Sequence, residues 1–162
     1  MATETDLPRL ALYQPDIPQN AGSILRLSAC LSFGVDVIEP CGFVWDDRKM
    51  RRAGMDYLDR VDLVRHSSWA VFDAARRAQG RRLVLLTTRG GIRLDGFSFD
   101  HRDVIMVGRE SAGVPPEVAA ACDASVRVPM APGVRSLNVA MAASMAMWEA
   151  LRSLGALPEG MQ

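Results

Sequence analysis

The stretch VIMVGRESAGVPPEVAAACDASVRVPM, residues 104–130, carries two apolar runs separated by a polar loop and a helix-like segment. VIMV from Val104 is unbroken, GRESAG is polar and glycine-bearing, PPEVAAAC from Pro115 has helical character, and SVRVPM from Ser125 turns apolar again. A short continuous apolar run bounded by turn signals reads as a strand buried on both faces, the habit of parallel sheets flanked by helices. The stretch therefore predicts strand, loop, short helix, strand. The rhythm extends outward. LALYQ from Leu10, VDVIEP from Val35, VDLVRH from Val61 and LVLLTT from Leu83 are further strand candidates. NAGSILRLSACLSFG reads as a helix stopped by Gly34, and SSWAVFDAARRAQG as one capped by Ser67 or Ser68 and stopped by Gly80. The predicted class is α/β with a parallel sheet.

A chain of 162 residues is long enough for one well-buried core and short for two. No fixed-period repeat, low-complexity tract or linker interrupts it, so residues 1–162 read as a single domain with a loose tail after Gly155. With 49% hydrophobic residues, 23% charged residues and zero formal net charge, the composition excludes a disordered tail and a protein that holds nucleic acid by bulk charge. Any RNA contact has to come from local patches. Cys30, Cys41 and Cys122 are far apart, without a C-x-x-C pair or a histidine at ligand spacing, which argues against a disulfide framework or a metal site. A reducing cytoplasm fits. The start MATETDLPRL lacks a secretion signal, and no stretch approaches the roughly 20 apolar residues that span a bilayer.

The loops after the strand candidates are chemically rich: YQPDIPQNAG, TTRGG, GRESAGVPP and PMAPGVRSLN. In open α/β sheets ligands bind beyond the carboxyl ends of the strands, so these loops are where a site belongs, although proline and glycine also simply punctuate turns. Common signatures are missing. There is no phosphate loop with a G-K-[ST] end, Lys49 being the sole lysine, no G-x-G-x-x-G after the first strand, and no G-x-S-x-G elbow. His66 and His101 have no obvious nucleophile beside them and read as surface or packing residues.

Three motifs remain: P-x-N-x-G-x-x-x-R at Pro18, Asn20, Gly22 and Arg26; G-x-E-x-x-G-x-P at Gly108, Glu110, Gly113 and Pro115; and S-L-N at Ser136, Leu137 and Asn138, opening the last helix. In order and spacing this set resembles the SPOUT class of RNA 2′-O-methyltransferases. The stretch IEPCGFVWDDRKMRRAGMDYLD is similar to the small members of that class, which methylate the wobble ribose of certain tRNAs and carry no added RNA-binding domain. The resemblance covers nearly the whole chain. It implies a parallel-sheet α/β domain with a deep C-terminal trefoil knot, a feature periodicity does not reveal because knots are so rare. It also implies S-adenosylmethionine as cofactor with S-adenosylhomocysteine as product, no metal, and a homodimer acting on cytidine 34 or a modified uridine 34 in tRNA of the leucine type. Neither a membrane nor DNA is implied as a partner. Alternatives are a substrate in ribosomal RNA or at another tRNA position, and a noncatalytic knotted RNA-binding module.

Methyl transfer to a ribose hydroxyl requires alignment of the hydroxyl with the donor carbon and help in losing its proton. The resemblance assigns activation of the hydroxyl to Arg26, whose guanidinium is suited to stabilising a developing alkoxide. Asn20 would brace that arginine or the ribose, and Glu110 would orient a loop, Arg26 or the RNA. The cofactor slot would be lined by Leu86, Thr87, Gly108, Glu110, Val128 and Met130, and closed by Ser136, Leu137 and Asn138; Ser136 is also suited to capping the last helix. Relatives often differ at Arg109, Ala140 and Met141, which bears on pocket polarity and nucleotide choice.

For RNA, Arg48, Lys49, Arg51 and Arg52 beside Trp45 and Tyr57 form a basic, aromatic cluster of the kind that binds loop RNA, or else an ordinary solvated helix face. Arg76, Arg77, Arg81 and Arg82 offer a second cluster with the same two readings. In VAMAASMAMWEAL, residues 139–151, Ala140, Met141, Ser144, Met147 and Trp148 spread over more than one apolar stripe, so some of them are expected to meet a second subunit. The alternative is a central core helix in a monomer.

Overall fold

The structure, a computed structural model, describes residues 7–53 and 57–160. Most of the N-terminal stretch, residues 54–56 of the wobble-type stretch and the last two residues of the tail lie outside the described residues. The six apolar runs form strands: β1 (Arg9–Tyr13), β2 (Gly34–Ile38), β3 (Leu63–His66), β4 (Arg82–Leu86), β6 (Asp103–Val107) and β7 (Ala124–Arg127). A two-residue edge strand, β5 (Ile92–Arg93), was not legible because two residues carry no periodicity. Every pairing is parallel, in the order β3-β2-β1-β6-β4-β7-β5.

Side chains alternate across the strands as the pleat demands. Leu10, Leu12, Val35, Val37, Val84, Ile105, Val107 and Val126 face one core, shared with α1 (Pro18–Leu31) and α5 (Val139–Ser153). Ala11, Tyr13, Ile38, Leu83, Leu85, Val104 and Met106 face the other, closed by Phe72 of α3 (Trp69–Ala78) and Val118 of α4 (Pro116–Ala121). A short helix, α2 (Asp47–Ala53), packs beside α1.

Several boundaries differ from expectation for local reasons. Helix α1 ends at Leu31 with Ser32 in the left-handed conformation as its cap, so Gly34 is not the stop. Gly34 opens β2, where a Cβ would run into the Arg9 guanidinium lying over it. That guanidinium donates to Asp36 at 2.7 Å and pairs with Asp62, and Asp36 in turn meets His66 Nε2 at 2.8 Å. His66 is thus a buried packing residue, edge-on to Phe72. Ser68 caps α3 by accepting from Val71 N, and Gly80 at φ +64° ends that helical segment, both as expected. The tail is not loose immediately after Gly155: Ala156 N donates to Leu151 O at 2.8 Å, and Ala156 and Leu157 pack on the core.

The second arginine cluster is a correction. Arg76 is buried, bonded to Asp73, Asp123 and the carbonyls of Ala121 and Arg81. Arg82 forks onto Asp103, Arg77 pairs with Asp73, and Arg81 donates to Leu7 O. Arg82 and Asp103 begin their strands, so this network ties together the edge of the sheet opposite the rich loops and engages each of the four arginines in an ion pair or hydrogen bond. Sequence spacing shows the arginines but not their distant carboxylates.

Candidate active site

Strands β1, β6, β4 and β7 are neighbours, and their registers align Leu12 with Val107, Val107 with Leu86, and Leu86 with Val126. Their carboxyl ends therefore fall side by side, and the four chemically rich loops leave from one edge. Between Gln14 and Ile17 the chain turns sharply, with Gln14 in the left-handed region at φ +42°, and Pro18 then starts α1 at a position that needs no amide donor.

The loop after β6 folds back on itself. Arg109 N donates to Gly113 O at 3.0 Å and Gly113 N to Arg109 O at 2.8 Å. A Cβ on Gly108 would sit 2.7 Å from the Gly113 backbone, so glycine is what allows this closure. The closure turns Glu110 towards α1. Its Oε1 accepts from Asn20 Nδ2 at 3.4 Å, and Asn20 Oδ1 accepts from Asn138 Nδ2 at 3.1 Å. Asn138 Oδ1 accepts from the backbone amides of Ala140 and Met141 at 2.9 and 3.3 Å, making Asn138 the cap of α5. Ser136, expected as a possible cap, lies exposed before the helix.

One residue from each motif thus joins a single chain: carboxylate, amide, amide, helix N-terminus. Its polarity is fixed at both ends, by an acceptor-only carboxylate and by backbone donors, so each amide has one permitted orientation. Asn20 is buried here, with its amide taken up by Glu110 and Asn138. Arg26, six residues on, lies about 9 Å further along the axis and about 120° around it. It is exposed, with its guanidinium 5.9 Å from the Tyr57 ring centre.

A second carboxylate belongs to the site and was missed. Asp16 N donates to Glu110 Oε2 at 3.0 Å, Glu110 N to Asp16 Oδ1 at 3.2 Å, and Ser111 Oγ to Asp16 Oδ2. Hydrogen bonds from Glu110 and Ser111 hold Asp16 down at about 2, while burial, reinforced by Asp16, pushes Glu110 up. Arg109 lies alongside, Nη1 3.5 Å from Gln14 Oε1 and Nε 3.9 Å from Asp16 Oδ2. The available signal was a carboxylate between Pro15 and Pro18 in a strand-end loop.

Leu86 and Thr87 stand at the end of β4, Gly108 at the end of β6, and Val128 and Met130 just past β7, all partly exposed. Thr87 N donates to Val126 O at 2.9 Å and its Oγ1 accepts from Arg89 N at 3.1 Å, which turns the chain away from the sheet. Leu137 is partly buried beside Asn138. Among the basic residues, Arg48, Lys49 and Arg52 are exposed on α2, whose first amides are capped by Asp46, whereas Arg51 pairs with Asp59 at 2.9 Å. Arg65 covers Trp45 at 5.1 Å, and Trp45 stacks on Phe43.

Helix α5 resolves the question of its many apolar faces. Ala143, Ala146, Met147, Ala150 and Leu151 are buried in the chain's own core, while Met141, Met145 and Trp148 form an exposed stripe at i, i+4, i+7. Met147 therefore leaves the set expected to meet a partner and Met145 joins it. Beside the stripe lies a groove of about 330 Å³ lined by Leu94, Asp95, Val128, Pro129, Met145, Trp148 and Glu149. Among the described residues no group of His, Cys, Asp and Glu is arranged to hold a metal ion, and no helix is long and apolar enough to cross a membrane.

The fold and the strand-end site define the class. A solved structure described as structural insights into the 2-OH methylation of C/U34 on tRNA superposes with a TM-score of 0.87 at 40% identity, over 93% of this chain and 98% of that one. The SpoU methyltransferase AviRb from Streptomyces viridochromogenes, in complex with the cofactor AdoMet, superposes at 0.82 with 32% identity, over 92% of this chain and 61% of its own. These are methyltransferases of the trefoil-knotted α/β class, and the present chain has their fold. Residues 8–148 match the SpoU rRNA Methylase family, and the chain belongs to that family. A protein of Beijerinckia indica subsp. indica named tRNA (cytidine(34)-2'-O)-methyltransferase is 55% identical over 152 residues, covering 94% of this chain and 95% of the relative.

The residues present fit S-adenosylmethionine, the cofactor of the class. Adenine binding needs apolar walls and backbone polar groups more than charge, and Leu86, Val128, Met130 and Leu137, with irregular backbone from Pro129 to Leu137, supply that chemistry.

Proposed function

We propose that this chain methylates the 2′-hydroxyl of the ribose at nucleotide 34 of tRNA, cytidine or uridine, using S-adenosylmethionine. The likeness to the tRNA (cytidine(34)-2'-O)-methyltransferase over nearly the whole of both chains supports the substrate. The hydrogen-bonded chain through Glu110, Asn20 and Asn138 carries the reading, because it joins all three motifs at one sheet edge. When bound, the cofactor supplies a methyl group activated on a sulfonium. Leu86, Thr87, Gly108, Val128, Met130 and Leu137 line its slot, and Ser136 and Asn138 close it. Arg26 donates to the ribose 2′-oxygen as negative charge develops there. The direct test is transfer of labelled methyl to an anticodon stem-loop. Cytidine 34 should be methylated and 2′-deoxycytidine 34 should not; labelling of both contradicts ribose chemistry.

The chain acts as a homodimer in the cytoplasm, in this reading. Arg26 faces outward from α1, which packs on α5, and α5 exposes Met141, Met145 and Trp148. A two-fold partner covering that stripe would bury it and bring Arg26 to the partner's strand-end loops. Sedimentation equilibrium over a dilution series should show a dimer. Mixing Arg26→Ala with Ser136→Tyr subunits should restore part of the activity that each lacks alone; a fully active monomer contradicts the shared site.

Arg48, Lys49 and Arg52 supply the phosphate track. Replacing all three with alanine should weaken tRNA binding and reduce the slope of log affinity against log salt by about 0.7 to 0.9 for each phosphate that is no longer neutralised. An unaltered slope places the RNA elsewhere.

A further inference from the structure

We propose that Asp16 is a positioning residue: it clasps the β1–α1 loop to the β6–α4 loop and thereby holds Glu110, Asn20 and Asn138 in the polarity the site needs. Its effect on turnover rests on the methyl-transfer reading above; the clasp itself does not.

The clasp is reciprocal. Asp16 and Glu110 each donate a backbone amide to the other's carboxylate, at 3.0 and 3.2 Å, across 94 positions of sequence. Ser111 Oγ takes the second oxygen of Asp16, and Asn20 takes the second oxygen of Glu110. All four carboxylate oxygens are therefore engaged, and the Glu110 side chain cannot turn away from Asn20 without undoing the Asp16 contact. A third loop leans on the same residue. Gly42 N donates to Pro15 O at 2.9 Å, and a Cβ on Gly42 would fall 2.5 Å from that of Asp16. Four residues beyond Gly42, Asp46 caps the helix carrying Arg48 and Lys49. Asp16 thus stands where the loop leading to the basic helix meets the chain of side chains at the strand ends.

Two carboxylates in contact do not readily carry two charges. Asp16, bonded by Glu110 and Ser111, holds its charge to lower pH, and Glu110, raised by burial and by Asp16, is the member of the pair that takes up a proton first as pH falls. Oε2 of Glu110 is the oxygen on the Asp16 side, so a proton taken up there leaves Oε1 an acceptor for Asn20 and the amide chain keeps its direction. The groups facing the pair are Arg109 Nε at 3.9 Å from Asp16, and the neutral Ser111 and Asn20. Removing the Asp16 charge removes one of the two causes that raise Glu110, so its titration midpoint should move down.

The experiment pairs carbon-detected carboxyl titration of the substrate-free protein with steady-state methylation of tRNA at saturating S-adenosylmethionine. Asp16→Asn should lower kcat by about tenfold or more, leave KM for tRNA within about twofold, and shift the Glu110 midpoint to lower pH. Asp16→Glu keeps the charge and both oxygens and should recover turnover to within about threefold of the parent. An unmoved Glu110 midpoint in Asp16→Asn, near-parental turnover of that variant, or an Asp16→Glu as impaired as Asp16→Asn would each overturn the proposal. If Asp16→Asn does not fold, Gly42→Ala presses on the same residue and should lower kcat without changing cofactor affinity, and parental turnover there counts against the clasp. A parent protein that methylates no tRNA removes the functional reading instead, and the titration still decides the clasp.

Discussion

Arg26→Ala lowers methyl transfer by about a hundredfold or more and leaves cofactor affinity within about twofold of the parent. The magnitude follows from losing one transition-state hydrogen-bond donor, roughly 3 kcal/mol in a water-poor site. The separation of effects follows from the roles assigned: Arg26 stands exposed on α1, whereas Leu86 and Val128 stand at the ends of β4 and β7, where the cofactor slot is placed. The Arg26 guanidinium lies 5.9 Å from the Tyr57 ring centre. Because Arg26 is exposed, truncation leaves no cavity, and Tm should hardly move. Calorimetric titration with S-adenosylmethionine beside single-turnover rates makes the comparison; near-parental rates remove Arg26 from the mechanism.

Gly108→Ala should abolish activity through the cofactor slot. An added Cβ meets the Gly113 backbone at 2.7 Å, and backbone cannot yield as a side-chain tip does. Either the Arg109–Gly113 pairing opens or Glu110 is carried away from Asn20. Overpacking of this kind costs about 1–3 kcal/mol, a fall in Tm of roughly 3–10 °C in a chain of this size. Cofactor Kd should rise by about tenfold or more. Gly96 has nothing within 4 Å of its would-be Cβ and no positive φ, so Gly96→Ala is the control and should behave as the parent. Parental cofactor affinity in Gly108→Ala would mean that the β6–α4 loop does not shape the slot.

Legibility from sequence followed the range of the interactions. Strands buried on both faces announce themselves as apolar runs, and six of them were visible, as were Ser68 as a cap and Gly80 as a stop. The three motifs gave Asn20, Glu110 and Asn138, which the fold brings into one hydrogen-bonded chain. What stayed hidden depends on partners remote in sequence. Gly34 looked like a helix stop until Arg9 was seen lying over it, and Arg76 looked like a basic surface residue until Asp123 was seen beside it. Asp16 meets Glu110 across 94 positions, with nothing in its own neighbourhood to mark it except two prolines. The outward stripe of α5 was foreseeable in extent but not in membership, because Met145 and Met147 differ only in which side of the helix the core takes.

The central claim is transfer of a methyl group to one ribose oxygen of tRNA, and the measurement that meets it most directly is mass spectrometric mapping of nuclease fragments. Purified protein, S-adenosylmethionine and an unmethylated tRNA carrying cytidine 34 are incubated together, and the ribose methyl group is located. The account predicts a single 2′-O-methyl group on nucleotide 34, absent when Arg26→Ala replaces the parent. A methyl group on a base, on another ribose, or on no nucleotide at all would contradict it.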